Sequence, residues 1–165
     1  MKKTIFALST PESVSAIAVI RISGPDTLNA LGILCRCNIT SFKKKRTLTL
    51  KKIYSSDNSL LDEALVVSFE ENKSFTNEQM AELHIHGSII VIKTVMETLS
   101  KMSFLRQAFP GEFTQRALEN NKLNLTQVEG LSDLLQAETE YQQKQALDTY
   151  TCLLYTSDAA DECSG

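Results

Sequence analysis

Apolar and polar residues follow one another in short segments along the first two thirds of the chain, with turn residues between them. Apolar residues at every second position, or in short β-branched runs, predict strands at residues 1–8, 15–22, 47–50, 63–69, 79–86 and 104–109. Apolar residues at helical spacing predict a helix after Asp26 and a second one that Ser88 caps. Because strands and helices are mixed at hairpin-like spacings, the pattern predicts an α+β domain with a mixed sheet.

The pattern becomes helical after residue 110. A short helix is predicted over residues 112–119, and Asn120 with Asn121 ends it. Thr126 and Glu129 have the spacing of a capping box, which predicts the start of a long helix that runs to about residue 150. Because one side of this helix is polar, its apolar side needs a partner, and little of the chain is left to supply one.

Composition narrows the class of protein. The chain has 165 residues, of which 42% are hydrophobic and 22% charged, and its net charge is −3. These values are typical of a globular domain and argue against a nucleic-acid binder with a basic face. No apolar run is long enough to span a membrane, and the first residues do not resemble a secretory signal. The four cysteines are therefore expected to be reduced thiols in a cytoplasmic protein.

The end of the chain differs from the rest. The string CLLYTSDAADE, within residues 152–165, resembles the translation of a transposase sequencing adapter. We expect this segment to be an artefact rather than a genuine carboxyl-terminal segment, and we expect the natural protein to continue beyond residue 151.

Two charged residues lie inside apolar strands and are candidates for binding. Arg21 interrupts a β-branched run, where a charged side chain is costly to bury without a partner. The alternative is an arginine whose stem packs while its head reaches water. Glu82 lies between apolar residues, on the same strand face as His84 and His86. Its carboxylate would suit an N–H-rich heterocycle, or else it bonds to neighbouring backbone or lies at an exposed edge.

Other candidates are less specific. The two histidines and Glu82 resemble a metal-ligand set, but a His-x-His spacing is weak, and structural histidines are the favoured interpretation. Glu112 lies in the first turn of a helix, where the helix dipole alone favours an acid. The basic run 43–46 would suit phosphate or simply form a solvated loop. The sequence contains no phosphate-binding loop of the Gly-x-x-x-x-Gly-Lys type.

Longer strings carry a resemblance to a known family. IFALSTP, AIAVIRISGPD, SFTNEQMAELHIHGS and PGEFTQRALENNKLNLTQVEGLSDLLQAET closely resemble the tRNA modification GTPase family called MnmE or TrmE. The resemblance implies a tetrahydrofolate-binding and dimerisation domain over residues 1–118, similar to the folate-binding domain of aminomethyltransferases. Residues 119–151 would then start a helical domain. The family's GTPase domain, which binds GTP, Mg²⁺ and K⁺, is expected to be missing, so the chain alone is expected to be inactive.

The resemblance also implies a function and a site. Full-length members work as homodimers with a flavoprotein of the MnmG type, and they modify C5 of the wobble uridine in tRNA. A tetrahydrofolate derivative such as 5-formyltetrahydrofolate is expected to deliver the one-carbon unit. By motif, the folate contacts fall on Arg21, Glu82 and Lys122. No catalytic residue or metal ligand is assigned within the chain, and Cys163 is not given the role of the family's carboxyl-terminal cysteine.

The chain departs from the family pattern in its loops. Residues 77–79 are Asn-Glu-Gln where the family usually has Gly-Glu-Asp, and Gly87–Ser88 replaces a double glycine. A glycine-rich turn before the second strand is replaced by residues 12–15. Two alternatives therefore stay open. One is a non-enzymatic dimerisation module whose folate site is degenerate. The other is a stand-alone folate-dependent one-carbon transferase, which would need a complete catalytic set that the sequence does not contain.

Overall fold

The computed structural model describes residues 2–42 and 47–151. The basic run 43–46 and the proposed adapter segment 152–165 lie outside the described residues, so the hypotheses about them stay predictions. The chain divides into two compact units, Met1–Phe113 and Thr114–Gly165.

The first unit contains a six-stranded sheet with the strand order β3-β4-β5-β2-β1-β6. The strands are β1 (Thr4–Leu8), β2 (Ile17–Ser23), β3 (Thr49–Tyr54), β4 (Leu60–Phe69), β5 (Met80–His86) and β6 (Leu105–Gln107). The pair of β1 and β6 is parallel, whereas the other neighbouring pairs are antiparallel. The mixed sheet and the α+β class predicted from the sequence are confirmed.

Two helices, α1 (Thr27–Cys35) and α2 (Ile89–Ser100), cover one face of the sheet. A short 3₁₀ helix, Ile39–Phe42, follows α1. Alternate residues of the central strands point into this layer, so the buried core combines Ala18, Ile20, Ile22, Ala81, Leu83 and Ile85 from β2 and β5 with Leu31, Leu34, Ile92, Val95 and Leu99 from the helices. The intervening residues of the same strands therefore lie on the opposite face of the sheet.

Two glycines mark close approaches of the backbone in this unit. Gly24, which follows β2, has φ 134°, and a Cβ there would lie 2.7 Å from the Cα of Thr4. Gly87, which follows β5, lies against Ser15, and a Cβ there would collide with the serine carbonyl. Ser88 is the N-cap residue of α2, as predicted, and its backbone is extended, but its side chain makes no capping hydrogen bond. Glycine is therefore needed at position 87, whereas position 88 tolerates serine.

Strand β3 begins and ends later than the sequence predicts. The alternating pattern ends at residue 50, but the strand runs over Thr49–Tyr54 and pairs with β4. The predicted strand stops at residue 50 because Lys51 and Lys52 break the apolar alternation. On an edge strand such residues remain compatible with pairing, since solvent reaches their side chains.

The second unit is helical, and helix α3 (Glu112–Glu119) crosses the boundary between the two units. The prediction of one long helix over residues 126–150 is wrong, because the structure has two helices, α4 (Leu125–Gln136) and α5 (Glu140–Thr151). These two helices pack on each other, with Gly130 of α4 against the backbone of Ala146 and Tyr150 of α5, while Leu135 on the predicted apolar side stays exposed. In the described part of the chain, no helix is long and apolar enough to cross a membrane.

Side-chain capping explains the break between α4 and α5. The chain leaves α4 at Ala137, whose backbone is extended. The Thr139 hydroxyl accepts a hydrogen bond from the backbone N–H of Gln142, and the Gln142 side chain accepts from the backbone N–H of Thr139. This is a reciprocal capping box that starts a new helix. The box predicted at Thr126 is also misplaced, because the observed one joins Asn124 and Gln127.

Candidate ligand site on the open face of the sheet

Arg21 and Glu82 meet on the sheet face that α1 and α2 leave open. The two residues are directly opposed in the antiparallel pair of β2 and β5. Arg21 donates to Glu82 Oε1 from Nε at 3.0 Å and from Nη2 at 2.8 Å. Their side chains are 28% and 17% exposed, so a ligand can reach the pair. The sequence predicted both residues separately, and the structure brings them together as an ion pair.

The second oxygen of Glu82 lies beside His84. The distance from Glu82 Oε2 to His84 Nε2 is 3.4 Å. Both Arg21 bonds end on Oε1, so Oε2 keeps capacity to accept a hydrogen bond from a ligand. The carboxylate therefore accepts from the Arg21 guanidinium through Oε1 and lies beside the His84 ring with Oε2.

His86 has a different environment from His84. Its Nδ1 lies 2.7 Å from Asp62 Oδ1, and its backbone N–H donates to Asp62 Oδ2 at 2.8 Å. Its side chain is 71% exposed. Within residues 2–42 and 47–151, no group of three or more His, Cys, Asp or Glu side chains is placed to hold a metal ion. The ligand set considered from the sequence is therefore not assembled there.

Two aromatic rings lie against the Arg21 guanidinium. The guanidinium carbon is 5.6 Å from the centre of the Phe75 ring and 5.9 Å from the centre of the Phe113 ring. Both distances fall within the range of cation–π attraction. Neither phenylalanine is recognisable from the sequence, because an aromatic residue in a loop or a first helical turn carries no signal of its own. The site therefore contains a pair of charges and two rings.

The loop that carries Phe75 is fixed by hydrogen bonds to β2 and within itself. Ser23 Oγ lies 2.7 Å from Thr76 Oγ1 and donates to Glu78 Oε2 at 2.9 Å. Ser74 Oγ donates to the Glu78 carbonyl at 2.6 Å. Ser23, Ser74 and Thr76 are all buried, and buried polar groups that are satisfied in this way order the backbone that carries them.

The departure from the family pattern at residue 77 is compatible with this loop. Asn77 has φ 60°, in the left-handed region that favours glycine and that asparagine tolerates better than most other residues. Gln79 donates from Nε2 to the Phe69 carbonyl at 2.6 Å. Asparagine at this position thus adopts a backbone conformation that glycine would also adopt without strain.

Glu112 anchors the segment that carries Phe113. It accepts from Arg106 Nη1 at 2.7 Å and from the backbone N–H of Phe109 at 2.9 Å, and Arg106 Nη2 bonds to its other oxygen. The hydrogen bond to Glu112 raises the pKa of the Arg106 guanidinium above its ordinary value. Glu112 therefore does more than complement the helix dipole, because it ties the end of β6 to the first turn of α3.

Lys122 lies in the second unit, at the joint between α3 and α4. Asn121 has φ 54°, and the backbone N–H of Lys122 donates to the Ala117 carbonyl at 2.8 Å while that of Asn121 donates to Leu118 at 3.1 Å. This is a Schellman motif with asparagine in the position usual for glycine. The Lys122 backbone is thus fixed, and its side chain is exposed. Its role beside Arg21 and Glu82, which lie in the first unit, stays a prediction.

The fold and the site define a class of protein: an α+β domain with an arginine–glutamate pair on the open face of its sheet, followed by a helical unit. Residues 4–122 match the family described as the GTP-binding protein TrmE N-terminus. The chain therefore belongs to this family, as the sequence strings predicted.

Curated relatives agree with this assignment. The chain is similar to the tRNA modification GTPase MnmE of Dinoroseobacter shibae, with 47% identity over 148 residues, which cover 90% of this chain and 34% of the relative. It is also similar to the protein of that name from Ruegeria sp., with 47% identity over 144 residues, 87% of this chain and 33% of the relative. For the one from Wolbachia pipientis, the identity is 47% over 145 residues, 88% of this chain and 32% of the relative. The chain spans about a third of the length of these relatives.

Proposed function

We propose that this chain is the folate-binding and dimerisation part of a GTPase that modifies C5 of wobble uridine in tRNA together with a flavoprotein. The observation that carries the proposal is the Arg21–Glu82 pair, half-buried on the open sheet face of a TrmE N-terminus domain. The relatives that are named tRNA modification GTPase support the wider activity. GTP hydrolysis belongs, in this proposal, to the part of those relatives that the chain does not cover.

The donor and acceptor groups at the site fit a tetrahydrofolate derivative. A pterin ring presents several N–H groups. In this proposal they donate to the charged oxygen Oε2 of Glu82. Arg21 and Lys122 are cations suited to the carboxylate, carbonyl or formyl oxygens of the same ligand. The bound folate would supply the one-carbon unit, while the residues of this chain bind and orient it.

Folate binding by the full chain tests the proposal. Isothermal titration calorimetry with 5-formyltetrahydrofolate is expected to show binding, which Glu82→Ala or Lys122→Ala should weaken at least about 10-fold, because each change removes a charge-assisted hydrogen bond. Two matched controls should bind folate like the unmodified chain. Glu63→Ala removes an exposed carboxylate from β4, and Lys144→Ala removes an exposed cation from α5.

Other outcomes would favour the alternatives. A folded, dimeric chain that binds no folate would overturn the folate proposal and favour a dimerisation module with a degenerate site. The ordered loop around Asn77 argues against such degeneracy, since its backbone conformation is one that asparagine tolerates. One-carbon transfer by the chain alone would instead favour a stand-alone transferase.

A further inference from the structure

Arg21 is held by more than its bond to Glu82. An arginine side chain has many rotamers, and a single ion pair at a partly exposed position restrains it weakly. In this protein the guanidinium also contacts the Phe75 and Phe113 rings, at 5.6 and 5.9 Å from the ring centres. These rings come from two segments that are far apart in sequence, and both segments are anchored within the first unit.

Each ring is carried by a backbone segment that has its own set of hydrogen bonds. Phe75 lies in the loop that the buried Ser23, Ser74 and Thr76 fix to β2. Phe113 follows Glu112, which is itself buried and bonded to Arg106. Neither set of bonds involves Arg21 or Glu82, so the backbone segments that carry the rings are fixed independently of the pair that the rings contact.

We infer that Phe75 and Phe113 are positioning residues of the proposed folate site. The rings hold the Arg21 guanidinium on Glu82 Oε1, so that Oε2 remains available as an acceptor for the ligand. This inference rests on the proposed function. The motif predicts three folate contacts. The inference adds Phe75 and Phe113, which act through one of these contacts, Arg21.

The first experiment measures folate affinity in the full chain. Phe75→Leu and Phe113→Leu should each weaken binding of 5-formyltetrahydrofolate by about 2- to 30-fold, the range that corresponds to the loss of one cation–π contact. Phe75→Tyr and Phe113→Tyr keep an aromatic ring and should each bind folate more tightly than the leucine variant at the same position. Tyr54→Leu is the matched control, because it removes a half-buried ring that lies 4.6 Å from the Arg36 guanidinium on an edge strand.

A second variant separates the ring's charge distribution from its shape. Trifluorophenylalanine at position 75 keeps the volume of the ring and removes the negative potential of its face. It should weaken folate binding while the chain stays folded, with no more than the small fall in melting temperature that the loss of one cation–π contact causes. Normal affinity in this variant would overturn the inference, and the test remains valid if Phe75→Leu fails to fold.

A double-mutant cycle shows whether the rings act through Arg21. In an Arg21→Ala background, Phe75→Leu should cause no further loss of affinity, because the group it positions is gone. An equal loss in both backgrounds would overturn the positioning role and assign the ring a direct contact with the ligand.

If the chain binds folate and both leucine variants bind normally, the inference fails while the proposed function stands. If the unmodified chain binds no folate, the proposed function fails and the inference falls with it.

Discussion

Arg21 and Glu82 are 61 residues apart in sequence and directly opposed across β2 and β5, with 2.8 Å between Nη2 and Oε1. A second cross-strand pair, Lys52 and Glu63, is also directly opposed, but its charged atoms are 4.0 Å apart and both side chains are more than half exposed. The same sheet thus contains a partly buried pair with short hydrogen bonds and a solvated pair. The difference between them allows a matched test.

We predict that Glu82→Gln lowers the free energy of unfolding by about 1–3 kcal/mol, because it weakens two hydrogen bonds from a charged, partly buried donor. Glu63→Gln should change the free energy of unfolding by less than about 0.5 kcal/mol, as is usual for solvated ion pairs. Urea unfolding followed by circular dichroism measures both. Equal effects in the two variants would contradict the view that burial makes the Arg21–Glu82 pair the stronger one.

The sequence predicted both members of this pair but not their contact. Arg21 and Glu82 were recognisable because each interrupts an apolar strand, which is a local signal. Their pairing depends on the register of two strands that are distant in sequence, which no local pattern encodes. The same limit applies to Phe75 and Phe113, since their contact with Arg21 exists only after the loop and α3 have been placed by the fold.

The helical unit shows the opposite case, in which a local signal was present and was missed. Thr139 and Gln142 have the capping-box spacing, but the continuing helical pattern led to the prediction of one long helix. The amide and hydroxyl bonds of the box, together with the extended backbone at Ala137, divide that segment in two. Helix α5 then packs on the side of α4 that carries Gly130, whereas Leu135, on the apolar side of α4, is 80% exposed.

We predict that Thr139→Ala lowers the free energy of unfolding of the helical unit by about 1 kcal/mol, because an N-cap hydroxyl is lost. Thr149→Ala is the control, since Thr149 lies within α5 and its hydroxyl donates to the Gln145 carbonyl in the preceding turn. That variant should be neutral or slightly stabilising, as alanine favours helix interiors. Thermal unfolding followed at 222 nm compares the two, and a larger loss from Thr149→Ala would contradict the assignment of the cap.

Gly130 sets the distance between α4 and α5. A Cβ at this position would lie 2.8 Å from the backbone nitrogen of Tyr150 and 3.2 Å from the carbonyl oxygen of Ala146. We predict that Gly130→Ala destabilises the helix pair by about 1–3 kcal/mol, even though alanine is the better helix former. Leu135→Ala, at a position on α4 that is 80% exposed, should change stability by less than about 0.5 kcal/mol. Urea unfolding of both variants measures this, and a stabilised Gly130→Ala variant would refute the close approach.

The buried Cys35 thiol makes the free energy of unfolding of the first unit depend on pH in the alkaline range. Burial raises the pKa of its thiol from the ordinary 9.0 to about 12, and the nearby Cys37 adds to the rise. Above pH 9 the unfolded chain therefore loses this proton while the folded chain keeps it. Because the unfolded state then binds fewer protons, the free energy of unfolding falls as the pH rises from 9 towards 12.

We predict that Cys35 accounts for a loss of about 1.4 kcal/mol in the free energy of unfolding at pH 10, one pH unit above the ordinary pKa. Other groups also titrate in this range, so the measured quantity is the difference between the unmodified chain and Cys35→Ala. Urea unfolding at pH 7.5 and pH 10 should show a smaller decrease for the variant, whatever its stability at neutral pH. The same decrease in both proteins would mean that the Cys35 thiol ionises as easily in the folded chain as in the unfolded one. We do not expect this, because Cys35 is only 7% exposed and burial disfavours the charged thiolate.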